Sequence, residues 1–175
     1  AVFSCEMPSE QVMKRLIANF SLVKLEKIQT GPLDEKELGK VSSAVNTLSN
    51  TKLYLDDTPN PKLGDLVSKA MKLQDKLQSE HSDLAMVVID YLNLIGTEGN
   101  YDSRANEVSV ITKTLKQLAR QMKIPVIALA QLNRDVEQND GRIPMLSNLK
   151  ESGSIEQDAD IVLLMYRSDY YKSLG

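Results

Sequence analysis

Apolar positions recur along this chain in two rhythms, short unbroken runs and stripes at helical spacing. Val2-Phe3-Ser4-Cys5 reads as a short buried strand. Pro8 suits the first turn of a helix on which Val12, Met13, Leu16, Ile17 and Phe20 share a face. After a break at Gly31-Pro32, Asp34 and Glu37 have capping-box spacing and open a helix with Leu38, Val41, Val45 and Leu48 on one face. Leu53-Tyr54-Leu55 predicts a second strand, closed by Asp56-Asp57 and the turn-rich Thr58-Pro59-Asn60-Pro61. A long helix marked by Leu63, Leu66, Ala70, Leu73 and Leu77 follows.

The third strand is the most apolar run in the chain, Leu84-Ala85-Met86-Val87-Val88-Ile89, and it ends in Asp90. Residues 96–103 read as a loop. Val108, Ile111, Leu115, Leu118 and Met122 then give the clearest helical stripe. Pro125 to Ala130 predicts a fourth strand and Asp160 to Tyr166 a fifth. The polar stretch 131–158 between them is longer than an ordinary connection, a length that usually goes with function or mobility. Strands apolar on successive residues, alternating with amphipathic helices, predict an α/β fold: a parallel sheet covered by helices on both faces. Periodicity leaves the strand order open.

Composition narrows the picture modestly. The 175 residues suffice for one domain with one core. With 21 basic and 24 acidic residues the net charge is -3, so any contact with nucleic acid has to be local. One cysteine, Cys5, excludes an internal disulfide, and one histidine, His81, argues against a zinc site. His81 reads as a solvated residue near a helix end. No apolar run has membrane-spanning length and no leader pattern opens the chain, so an intracellular, reduced setting is expected. The chain opens directly in a strand-like run without Met, and a fragment of a longer protein is expected.

In open α/β sheets the ligand site lies beyond the carboxyl ends of the strands. There the first strand delivers Glu6, the second Asp56 and Asp57, the third Asp90, the fourth Gln131 and the fifth Tyr166-Arg167. An apolar strand ending in Asp has the shape of a Walker B strand, whose carboxylate grips the magnesium of a nucleoside triphosphate, usually through water. By pattern alone, Asp90 is equally well a residue that starts a turn. Glu6 has the place of a carboxylate that deprotonates an attacking water, or simply of an acid favoured in a first helical turn. Gln131 suits an amide that senses a γ-phosphate, or a satisfied strand-end amide. No Gly-x-x-x-x-Gly-Lys-Ser/Thr segment occurs in these residues.

Several segments together resemble the bacterial replicative DNA helicases of the DnaB type, in their RecA-like motor domain. They are FSCEMPSEQ (3–11) with Arg15 beyond it, VVIDYLNLI (87–95), LKQLARQMKIPVIALAQLNRDVEQ (115–138) and LSNLKESGSIEQDADIVLLMYR (146–167). The blocks keep the family's order across almost the whole chain. The resemblance implies a RecA-like sheet, with residues 1–175 as a partial ATPase domain. The P-loop would precede Ala1 and the arginine-finger segment would follow Gly175. It implies ATP and Mg2+ as cofactors, Glu6 as the residue that activates water, Asp90 on magnesium, and Gln131 on the γ-phosphate with Asn133 and Arg134 in the same motif. Lys150, Glu151, Ser152 and Gly153 would line the central channel of a homohexameric ring and hold the backbone of single-stranded DNA. Primase and a helicase loader would be partners of the full-length protein, in the bacterial cytoplasm.

Chemically that loop is reasonable. Gly153 admits a close main-chain approach to phosphate, Ser152 can donate a hydrogen bond, and Lys150 carries positive charge. Glu151, Glu156, Asp158 and Asp160 oppose this on composition alone. Lys150 stands where the family usually has Arg, keeping charge but losing the bidentate fork. Cys5 replaces a usual leucine and Ala130 a usual serine. Two alternatives stand beside the helicase reading: a phage or recombination-type RecA relative, and a non-catalytic binding module without a P-loop. The paired QLNR and ESGSIEQDAD segments argue against the first, and the joint presence of Glu6, Asp90 and Gln131 against the second.

Overall fold

The computed structural model describes residues 1–133, 136, 143–149 and 153–169. Strand β1 (Val2–Ser4) leads into helix α1 (Ser9–Ser21), a short helix α2 (Leu25–Thr30) and α3 (Glu35–Ser49). Next come β2 (Leu55–Asp56), α4 (Leu63–Ser79), β3 (Val87–Asp90), a 3-10 turn at Leu92–Leu94, α5 (Arg104–Met122) and β4 (Val126–Ala128). A second 3-10 turn, Leu146–Asn148, and helix α6 (Gly153–Asp158) follow.

The four strands are parallel, in the order β2-β1-β3-β4. Their pairing puts Phe3 beside Ile89, and Ile89 beside Ala128; Ser4 lies beside Asp90. Side chains alternate across a strand, so Phe3, Val87 and Ile89 share one face. That face meets the apolar stripes of α4 and α5: Leu66, Ala70, Leu77, Val108, Ile111, Leu115 and Leu118 join it in one buried cluster. On the second face Val2 and Val88 stay half-buried and Ile127 is 47% exposed. The parallel sheet with helices is as expected.

Local signals explain most boundaries. The Asp34 carboxylate accepts the Glu37 amide at 2.8 Å, and Glu37 in turn accepts the Asp34 amide at 3.1 Å, closing the expected capping box. Ser103 caps α5 through the Asn106 amide. Leu22 and Lys123 end α1 and α5 in the left-handed region, and His81, exposed, follows α4 in the same conformation.

Three expectations need correction. The buried stripe of α3 runs through Ala44 and Leu48, while Leu38 and Val45 are exposed; Phe20 of α1 is exposed as well. These helices pack mainly on each other, away from the sheet's core cluster, so one narrow contact line suffices. Helix α2 goes beyond the pattern reading, because six residues carry too little periodicity. The fifth strand is absent among the described residues: Ile161, Leu163 and Met165 are about four-fifths exposed, with only Val162 packing on the core. The run has the alternation of a strand, but among the described residues it pairs with no strand of the sheet.

Candidate functional site

The carboxyl edge of the sheet gathers residues that are far apart in sequence. The register sets Asp90 level with Ser4, so Glu6 emerges two residues beyond that level on the neighbouring strand. The Cys5 amide donates to the Asp90 carbonyl at 2.7 Å, which prolongs the β1–β3 pairing to the residue just before Glu6. The Ser4 hydroxyl, almost fully buried, donates to the Met7 carbonyl at 2.7 Å and so closes a turn around Glu6. On the other side of β3, the Leu129 amide donates to the Ile89 carbonyl at 2.9 Å, and the Leu92 amide donates to the Leu129 carbonyl at 2.9 Å. Gln131 leaves the sheet two residues later. Glu6 and Gln131 are exposed and Asp90 is half-buried between them.

Behind Asp90 the chain is pinned from below. The Asp90–Tyr91 peptide bond is cis. Arg104 donates to the carbonyls of Asn93 and Ile95 at 3.0 and 3.1 Å, and pairs with Glu107. Glu107 also accepts the amide and the hydroxyl of Thr97, at 3.0 and 2.8 Å. Burial alone would raise the Glu107 carboxyl. The Thr97 hydroxyl, the Arg104 guanidinium and the Thr97 amide outweigh it and hold the group below its ordinary value. Sequence reading missed this brace; the Arg-x-x-Glu spacing at the start of α5 was its only local trace.

The outer strand contributes structure. Asp57 accepts the Ser9 amide at 2.8 Å at the start of α1, and that bond keeps its carboxyl low. Asp56 pairs with Lys69 at 2.6 Å. Its burial acts to raise the carboxyl, but Lys69 and Thr58 hold it down. A cleft of about 230 Å³ opens beside this pair, lined by Phe3, Thr58, Asp65 and Lys72, away from Glu6 and Gln131. Cys5 is buried, and its thiol is raised to about 11, first by that burial and then by the charges of Asp90 and Asp56.

Among the described residues, no three His, Cys, Asp or Glu groups converge as a metal cage. A single half-buried carboxylate is the donor set that magnesium takes, since it keeps waters and binds one or two carboxylates together with phosphates. Asp90 fits that use.

The remaining expected site residues, Arg134 at the nucleotide and Lys150 to Gly153 at DNA, are only partly visible. Arg134, Lys150, Glu151 and Ser152 lie outside the described residues. Gly153 opens α6 and is exposed, with nothing within 4 Å of where a Cβ would stand. Neither space nor a left-handed backbone inside the chain demands glycine there. Two of the acids in this region are engaged with α5: Asp158 accepts the Thr112 hydroxyl at 2.5 Å, and Asp160 pairs with Lys116. Beyond Gln131, Leu132 and Leu149 form an antiparallel bridge, and the Asn133 amide donates to the Asn148 carbonyl at 2.7 Å.

Comparison with known proteins places the chain in a family. Residues 1–174 match the family described as the DnaB-like helicase C terminal domain. The replicative DNA helicase DnaC of Bacillus subtilis (strain 168) is 44% identical over 172 residues, 98% of this chain and 37% of that protein. The replicative DNA helicase DnaB of Geobacillus stearothermophilus matches equally. The chain therefore spans little more than a third of the length of these relatives. Among solved structures, a DnaB-like replicative helicase studied with its interactions with primase superposes with a TM-score of 0.90 at 37% identity, over 98% of this chain and 41% of that one. A second solved structure, of an ATPase domain, also gives 0.90, at 36% identity, over 99% of this chain and 61% of that one. The α/β parallel sheet is thus the RecA-like one that the resemblance implied, and the chain belongs to the DnaB-like helicase C-terminal domain family.

Proposed function

We propose that these residues form part of the motor of an ATP-dependent replicative DNA helicase, which hydrolyses ATP to move on single-stranded DNA and unwind duplex at the fork. The observation that carries the reading is the convergence of Glu6, Asp90 and Gln131 on one edge of three adjacent strands. A rigid sheet holds the groups at fixed separation, which phosphoryl transfer requires more than covalent chemistry. Glu6, on a turn closed by Ser4, takes a proton from the attacking water. Asp90 would hold magnesium, which would offset charge on the phosphates. Gln131 reads the terminal phosphate with its amide, and Arg134, three residues on, adds positive charge to the nucleotide site.

The same reading gives Lys150, Glu151 and Gly153 the backbone of single-stranded DNA. The open space around Gly153 supports it, because the glycine is then explained by an outside group approaching the main chain. These 175 residues contain no Gly-x-x-x-x-Gly-Lys-Ser/Thr segment, so this reading needs a phosphate cradle supplied from elsewhere. That protein works as a homohexameric ring with primase and a loader, in the bacterial cytoplasm. Among the described residues no helix is long and apolar enough to cross a membrane.

The test uses the full-length protein. Glu6→Gln is expected to lower ATP hydrolysis by about 10²–10⁴-fold, while a fluorescent ATP analogue still binds. Normal turnover in that variant overturns the assignment of Glu6. A wild-type protein that binds ATP without hydrolysing it would favour a binding module instead.

A further inference from the structure

The strand end that carries Gln131 is bonded directly to the segment that leads into Lys150. Leu132 bridges Leu149, and the Asn133 amide meets the Asn148 carbonyl. Asn148 also shapes its own turn. Its Oδ1 accepts the Met145 amide at 2.9 Å, and its amide donates to the Met145 carbonyl at 2.9 Å. It is only 4% exposed, a polar residue where an apolar one would fill the space more cheaply. Its neighbour Leu149 belongs to the same buried cluster as Ile89 and Leu92, so the bridge is anchored in the core beneath Asp90.

From these contacts we infer that Asn148 is a positioning residue that couples the nucleotide end of β4 to the DNA-facing stretch beginning at Lys150. The inference rests on the roles proposed above for Gln131 and Lys150. When Gln131 shifts to meet a terminal phosphate, Leu132 and Asn133 move with it. The bridge passes that displacement to Asn148 and Leu149, and the next residue in the chain is Lys150. The Asn148–Met145 bond keeps the turn stiff, so the displacement is transmitted and not absorbed in the turn. Packed elements with few alternative arrangements carry coupling of this kind.

The experiment measures hydrolysis by the full-length protein over a range of ATP concentrations, with and without an oligo-dT strand. Coupling between two sites is typically a factor of about 5–150. Asn148→Ala is expected to cut the DNA stimulation of kcat by about five-fold or more, with little change in the KM for ATP. Asn148→Asp, which keeps an acceptor for the Met145 amide, is expected to recover most of the stimulation. Wild-type stimulation in Asn148→Ala overturns the inference, as does an equal loss in both variants. A wild-type protein whose hydrolysis ignores DNA overturns the proposed function itself, which separates the two failures. Should Asn148→Ala not fold, hydrogen exchange on the wild-type protein decides. A non-hydrolysable ATP analogue should change protection at Asn133, Met145 and Asn148 together; a change confined to Asn133 overturns the inference.

Discussion

The amide of Cys5 donates to the carbonyl of Asp90 across 2.7 Å, and this bond joins the two carboxylate-bearing strand ends. It places Cys5, just past β1, under the charge of Asp90, and the next residue, Glu6, is exposed. The thiol of Cys5 reports on that neighbourhood.

With its pKa pushed up to about 11 from an ordinary 9.0, Cys5 is far less ionised at pH 8 than a free thiol. The thiolate is the reactive form, but a thiolate of higher pKa is also more nucleophilic, so modification by Ellman's reagent at pH 8 should be about ten-fold slower than for free cysteine. Asp90→Asn should quicken the reaction, though less than unfolding does, because burial is the larger cause. A rate in Asp90→Asn equal to that of the wild type would show that the Asp90 carboxylate lies too far away to act on the site.

Glu107 should make the brace behind Asp90 sensitive to acid. Its folded pKa lies below its ordinary value of 4.5, so its stabilising effect is complete above that value. The effect is lost as the pH falls through the folded pKa. Glu107→Gln should therefore cost about 1.5–3 kcal/mol near pH 7, the range for hydrogen bonds to a charged group. The gap to wild type should close progressively below pH 4.5. Thermal melts of both proteins from pH 7 to pH 3 check this, and a gap that does not vary with pH would contradict it.

Lys150→Ala should weaken binding of single-stranded DNA without regard to sequence. A lysine on a phosphate releases about one counterion, so the slope of log affinity against log salt should become shallower by about one. Fluorescence anisotropy of a labelled oligonucleotide at several salt concentrations measures it. An unchanged slope would move the DNA contact away from Lys150.

Much of this molecule is legible from its residues alone, for reasons that differ by element. Asp34 with Glu37 and the Val108-to-Met122 stripe are local signals, and both appear as read. The run ending at Asp90 is apolar because β3 is central, with Val87 and Ile89 entirely buried. By contrast, Asp160 to Tyr166 has the composition of a strand, but a strand exists only beside a partner. Phe20, Leu38 and Val45 mislead because hydrophobic spacing does not say how wide a contact line a neighbouring helix will cover. In the site, Glu6, Asp90 and Gln131 can be nominated by their positions after apolar runs. Arg104, Glu107 and Asn148 cannot, since their partners at Asn93, Thr97 and Asn133 follow from the tertiary path of the chain.

The strand order also sets a condition on how the protein is made. β1 pairs with β2 and β3, and never with the helix that follows it in the chain. Ser4 must wait for Asp90 to be synthesised before its ladder can close, and Ile89 for Ala128. Non-local pairings of this sort fold slowly, because the loops between them must be ordered before any contact repays the loss of entropy. A ribosome-bound chain that has emerged only as far as α4 therefore carries Glu6 on an unfinished edge, which is complete only when β3 and β4 arrive.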